Sequence, residues 1–113
     1  MNVTTSRHGN VVVAHVTETR LTYPILADFA TTVAGLVAAG EKQILVDLST
    51  VGYVDSATIG CLMDLYRQAS TAGGQFKLSG VQKRVETMLT MTGAHNFLEV
   101  YGDQASALAS FGG

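Results

Sequence analysis

Short apolar runs alternate along this chain with segments whose apolar residues recur at helical spacing, and this alternation most limits how it can fold. "VVVAHV" (11–16), "QILVDL" (43–48), "FKLS" (76–79) and "FLEVY" (97–101) read as strands. Between them, Phe29, Val33, Leu36 and Val37 follow a helical period that Gly40 ends. Ile59, Leu62, Met63 and Tyr66 form a second stripe, closed by Gly73 and Gly74. Val85, Met88, Leu89 and Thr92 outline a third, ended by Gly93. Pro24 lies near the first helix start, where its missing N–H costs nothing. Asp103 is placed to cap a short last helix carrying Ala107 and Leu108. Strands separated by helices must run parallel through right-handed crossovers. "NVTTSR" and "VVVAHV" instead flank His8-Gly9-Asn10, a hairpin turn that makes one pair antiparallel. The expectation is an α/β domain over residues 1–113, with a mixed, largely parallel sheet of about five strands and about four helices packed on it.

Composition excludes several function classes. With 113 residues, 47% apolar and 14% charged, the chain can bury one core without a staple. The one cysteine, Cys61, cannot form an internal disulfide. His8, His15 and His95 do not have metal-ligand spacing. A formal charge of −2, with basic residues scattered apart from Lys83 and Arg84, argues against nucleic acid as a partner. No apolar run approaches the length of a membrane span, and "MNVTTSRHGN" lacks the pattern of a signal peptide, so a cytoplasmic location away from the membrane is expected.

The stretch "VGYVDSATIG" (51–60) carries the most chemistry. Asp55, Ser56 and Thr58 sit where a helix begins, and any of their oxygens can cap its unpaired N–H groups, with Ser56 the expected cap. If the Ile59 stripe faces the core, a rotation of about 100° per residue turns Ala57, Gly60, Cys61 and Asp64 outward. The exposed first turns then carry almost no side-chain bulk, as a surface approached closely by a partner would.

From Ile44 to Tyr101 the chain resembles the STAS-domain anti-sigma factor antagonists of bacteria. The likeness rests on "ILVDLSTVGYVDSATIG", the Gly73-Gly74 turn, the "FKLS" strand, "LTMTG" at a helix end and the acidic cap at Asp103. The resemblance implies that Ser56 is the residue phosphorylated by a partner that is both serine kinase and anti-sigma factor, with Asp55 as its acidic neighbour. It also implies that the unphosphorylated form binds that partner and frees a sigma factor, and that a PP2C-like phosphatase reverses the modification. The partner-binding residues expected on this basis are Asp55, Ala57, Thr58, Gly60, Cys61 and Asp64. Two departures stand out: Asp-Ser-Ala-Thr-Ile-Gly replaces the family's Asp-Ser-Ser-Gly-Leu-Gly, and "TETRL", with Glu18, replaces Gly-Glu-Leu-Asp.

Other STAS domains serve as scaffolds or accessory subunits of signalling assemblies and transporters, which is the alternative the resemblance allows. An enzyme is not expected: there is no phosphate-binding glycine loop, nucleophile elbow or His-Glu-x-x-His, and His15 and His95 read as surface or satisfied histidines. No cofactor or metal is implied. Cys61 has no adjacent cation or resolving cysteine to make it a redox sensor.

Overall fold

The computed structural model describes residues 3–111; Met1, Asn2, Gly112 and Gly113, and with them the first residue of the expected "NVTTSR" strand, lie outside the described residues. Strands β1 (Val3–His8) and β2 (Val11–Val16) form the antiparallel hairpin, turning at Gly9, whose φ of +62° suits glycine. Strands β4 (Gln43–Asp47), β6 (Gln75–Ser79) and β7 (Glu99–Tyr101) continue the sheet in parallel, giving the order β1-β2-β4-β6-β7. The helices are α1 (Tyr23–Ala38), α2 (Ser56–Thr71), α3 (Lys83–Thr92) and α4 (Gln104–Ser110). The mixed five-stranded sheet with four helices is the architecture expected from the sequence.

Two short strands had no counterpart in the sequence reading. β3 (Arg20–Leu21) and β5 (Tyr53–Val54) pair in parallel, Arg20 with Tyr53 and Leu21 with Val54. The polar connection expected over 17–24 therefore contains a fully buried leucine, Leu21. Two-residue strands carry no periodicity of their own, and this pairing exists because the chain ahead of α1 and the chain ahead of α2 reach the same place. "FLEVY" is shorter than expected: Ala94–Asn96 form a 3-10 turn, Phe97 is exposed, and only Glu99–Tyr101 pair.

Alternation along the strands sorts the core into two unequal halves. Val12, Ala14, Val16, Ile44, Val46, Phe76 and Leu78 face α1, α2 and α3 and form the larger cluster with Phe29, Val33, Leu62, Leu65, Val85 and Leu89. Val11, Val13 and Leu45 face the other way, where the single short helix α4 covers them with Ala107 and Phe111. Because the central strands are buried on both sides, "VVVA" and "ILV" read as unbroken apolar runs. Lys77 points to the α4 side and is only 3% exposed. Its ammonium donates to the Ser110 carbonyl (3.1 Å) and Oγ (3.0 Å), lies 3.5 Å from Glu99, and sits 4.5 Å from the centre of the Phe111 ring. A buried cation needs such partners, so Lys77 ties the end of α4 to the sheet.

No helix among the described residues is long and apolar enough to cross a membrane.

The loop after β6 is tightly constrained. Gly80 has φ +68°, its N–H donates to the Tyr101 carbonyl at 2.9 Å, and a Cβ there would lie 2.8 Å from Ser49 Cβ. Gly80→Ala therefore meets both a left-handed backbone and a neighbouring chain that must shift, and should lower unfolding free energy by about 2 kcal/mol in urea titration.

Candidate functional site

The centre of the site is the Asp55 carboxylate. Asp55, not Ser56, is the N-cap of α2: its Oδ1 accepts from the Thr58 N–H at 2.9 Å. Oδ2 accepts from the Tyr23 N–H at 3.0 Å, which belongs to the first residue of α1. Thr22, the cap residue of α1, makes no side-chain cap bond, so Asp55 supplies that function from another part of the chain. One carboxylate thus serves the N-termini of two helices, where dipoles favour a negative charge. The Thr58 hydroxyl lies 2.7 Å from Asp55 Oδ1 and 2.7 Å from the Leu21 carbonyl. Having one proton and two acceptors, it donates to either in turn. Burial pushes the Asp55 carboxyl up, but hydrogen bonds from the Thr58 hydroxyl and the Tyr23 and Thr58 N–H groups outweigh it and hold the carboxyl below the usual carboxylate range.

These contacts correct two sequence readings. Serine was the expected cap, but Asp55 occupies that position and leaves Ser56 as the first helical residue, exposed to solvent. Thr58 was expected to touch a partner, but it is 0% exposed. It faces the inside because its hydroxyl closes the junction between β3 and α2. The expected core stripe of α2 is also shifted: Thr58, Ile59, Leu62, Leu65 and Ala69 are buried, while Met63 and Tyr66 pack at its margin.

Ala57, Gly60 and Asp64 are exposed and Cys61 is half-buried. A Cβ built on Gly60 meets nothing within 4 Å, so the space above it is open. Asp64 lies 3.8 Å from Arg67. Burial first, and then the Asp64 charge, push the Cys61 thiol up, which keeps it protonated and weakens it as a nucleophile.

The structure adds residues the sequence did not point to. Tyr23, Pro24, Leu26, Ala27 and Ala30 of α1 join Cys61 to line a shallow apolar groove of about 440 Å³. Tyr23 is 75% exposed at its mouth. Leu26 falls on the helical period of Phe29 and Val33 and Ala30 at its margin, which was the one available signal, but only the packing of α1 against α2 brings them beside Cys61.

A family model described as "Mlab, STAS domain" matches residues 3–100. The chain belongs to the STAS domain family. Within that family, a Thermotoga neapolitana protein named as an anti-sigma factor antagonist homologue is 32% identical over 69 residues, covering 61% of each chain. This STAS domain therefore spans about 61% of the length of that curated relative. Among solved structures, an anti-sigma factor antagonist domain protein from Planctomyces limnophilus matches with a TM-score of 0.89 at 19% identity, covering 98% of both chains. The phosphorylated form of the Bacillus cell fate determinant SpoIIAA matches with a TM-score of 0.74 at 12% identity, over 96% of this chain and 98% of that one. The murine anion transporter Slc26a9 contains the same fold, with a TM-score of 0.77 at 18% identity, over 92% of this chain and 18% of the transporter. At these identities the structural matches establish the fold.

Because Asp55 holds the cap, Asp55→Ala should cost about 1–2 kcal/mol in chemical denaturation, whereas Ser56→Ala, at an exposed position that caps nothing, should stay within about 0.5 kcal/mol. The carboxyl also sets a pH dependence. Its folded value is depressed, so its charge stabilises the fold fully above the ordinary carboxylate range, about 3.9, and this contribution is lost as pH falls through the folded value. Asp55→Asn keeps a capping oxygen without the charge. The melting-temperature gap between parent and Asp55→Asn should be widest near neutral pH and close below about pH 4.

Proposed function

We propose that this STAS domain is an anti-sigma factor antagonist: unphosphorylated, it binds an anti-sigma factor with serine kinase activity and releases a sigma factor, and phosphorylation of Ser56 switches it off. A PP2C-like phosphatase would restore the binding form. The observation that carries the reading is the exposed Ser56 hydroxyl at the first position of α2, beside a face of Ala57 and Gly60 that a partner can approach closely. The curated relative's name supports the antagonist role, and a protein of the same fold is known in a phosphorylated form.

The chemistry at this position favours binding lost without unfolding. A phosphate adds about −1.5 to −2 charges and three acceptor oxygens. The helix dipole and the N–H groups of the first turn favour that charge within the domain. Asp55 is already ionised and engaged by Tyr23 and Thr58, so it opposes the phosphate without giving up its own bonds. A partner seated over Ala57, Gly60 and the Tyr23–Cys61 groove would instead enclose a dianion with no counter-ion, and truncated or unpaired buried charges are costly. Asp55, Cys61 and Asp64 border that seat, and Thr58 fixes its edge from inside.

Titration against the cognate anti-sigma kinase tests this. Ser56→Asp should weaken binding while Ser56→Ala binds like the parent and accepts no phosphate. Equal affinity of parent and Ser56→Asp, together with phosphorylation of the alanine variant, would assign the switch elsewhere. Gly60→Arg should weaken binding by at least about tenfold, the effect of 1.4 kcal/mol at the interface, with an unchanged melting curve because the space above Gly60 is open. If Gly60→Arg binds normally, the partner does not use this face, and co-purification with transport subunits would then favour the accessory role.

A further inference from the structure

On the opposite face of the sheet, outside the area covered by α4, the fold assembles a serine, a histidine and an aspartate that lie far apart in the sequence. Ser6 Oγ is 2.9 Å from His15 Nε2, and His15 Nδ1 is 2.8 Å from Asp47 Oδ2. Asp47 Oδ1 accepts from the Ser49 N–H at 2.9 Å. β1 pairs antiparallel with β2 and β2 parallel with β4, which sets His15 directly beside Asp47 and diagonal to Ser6 on one face. The sequence reading of His15 as a satisfied histidine holds as far as it goes, but it did not identify the partners.

The direction of each hydrogen bond follows from the charge at one end. Burial pushes the Asp47 carboxyl up, but bonds from Ser49 and His15 prevail and hold it below the usual range, so it is an acceptor. Nδ1 of His15 must then carry the proton, and in the neutral ring Nε2 is an acceptor. The Ser6 hydroxyl donates to it. His8 Nε2, 3.2 Å from Ser6 Oγ, is left to donate. This is the orientation that activates a serine: base on the hydroxyl and carboxylate on the far nitrogen. Ser6, His15 and Asp47 are all partly exposed, the His15 and Asp47 side chains at 29% and 15%, so a small molecule can reach the hydroxyl. The two described cavities lie elsewhere, at the β7 edge and at the α1/α2 groove.

We propose that Ser6 is a nucleophile activated by His15, acting on small activated carboxylic esters, with Asp47 as the positioning residue. Ser6 Oγ attacks the carbonyl carbon as its proton passes to His15 Nε2. The His8 ring nitrogen lies 3.2 Å from the attacking oxygen and borders the approach to it. The bond from carbon to the leaving oxygen breaks and that oxygen takes the proton from His15. Water, deprotonated by the same imidazole, then attacks the acyl carbon, releases the carboxylic acid and returns the proton to Ser6. No redox partner or metal is required. The partly exposed hydroxyl is open to a short acyl group with a good leaving group. This inference does not depend on the role of Ser56.

The full chain should be treated with p-nitrophenyl acetate and, separately, with a fluorophosphonate, which forms a phosphorus–oxygen bond to serine as fluoride leaves. Peptide mass mapping of the unmutated protein should place the phosphonate on Ser6. Ser6→Ala should lose both labelling and p-nitrophenol release. His15→Ala should slow labelling by about 100-fold, within the range for a general base, and imidazole added to the buffer should restore part of it. Asp47→Asn should be as slow as His15→Ala but unresponsive to imidazole, because its ring is present in the wrong tautomer. Phosphonate on another residue, no phosphonate at all, or equal p-nitrophenol release by Ser6→Ala would overturn the proposal and leave the three groups as the polar closure of the sheet. Since the mapping uses the unmutated chain, it decides the matter even if a variant fails to fold.

Discussion

The architecture around Ser56 depends on one carboxylate shared between two helices. Asp55 accepts from Thr58 in α2 and from Tyr23 in α1, so the starts of the two helices cannot separate without leaving N–H groups unpaired. The parallel pairing of Leu21 with Val54 and the Thr58 hydroxyl against the Leu21 carbonyl close the same junction from inside. Arg20 over the Tyr53 ring, at 4.5 Å, covers it from outside. The groove between Tyr23 and Cys61 and the bare surface at Gly60 both result from this arrangement.

The Asp55 charge is held in place by its own hydrogen bonds from Tyr23 and Thr58. Asp55 sits at the positive ends of both helix dipoles, so the proposed phosphate on the next residue would leave in place the group that caps the helix. Had Ser56 been the cap, its modification would have disturbed the helix start itself. Because the cap and the Ser56 hydroxyl are separate groups, the proposed phosphorylation would change the surface charge while the fold keeps its fastening.

The sheet is covered unequally. Three helices cover most of one face, and one seven-residue helix protects part of the other, anchored by the buried Lys77. The uncovered part of that face must satisfy water and neighbouring strands at once, and it does so with Ser6, His15 and Asp47 in a directed chain of hydrogen bonds. Both chemically distinctive clusters include residues at or beyond the carboxyl ends of parallel strands, on opposite faces of the same sheet.

The order of the five main strands and four helices, the hairpin at Gly9, the helix end at Gly93 and the cap at Asp103 were legible in the sequence because each rests on local periodicity or on the conformational preference of one residue, whereas the two-residue strands β3 and β5 were not. The motif around Ser56 and the small-residue face of α2 were legible for the same reason, as was the likeness to STAS domains. What the tertiary structure alone decided was which oxygen caps which helix, that Thr58 turns inward, and that α1 supplies half of the groove. It alone brought Ser6 and Asp47 to His15, and put α4 on the far side from the other helices. Those outcomes depend on contacts between residues tens of positions apart, such as Asp55 with Tyr23 and His15 with Asp47. Such pairs leave no periodic trace in a single sequence, because it is the register of the sheet and the packing of two helices that make them neighbours.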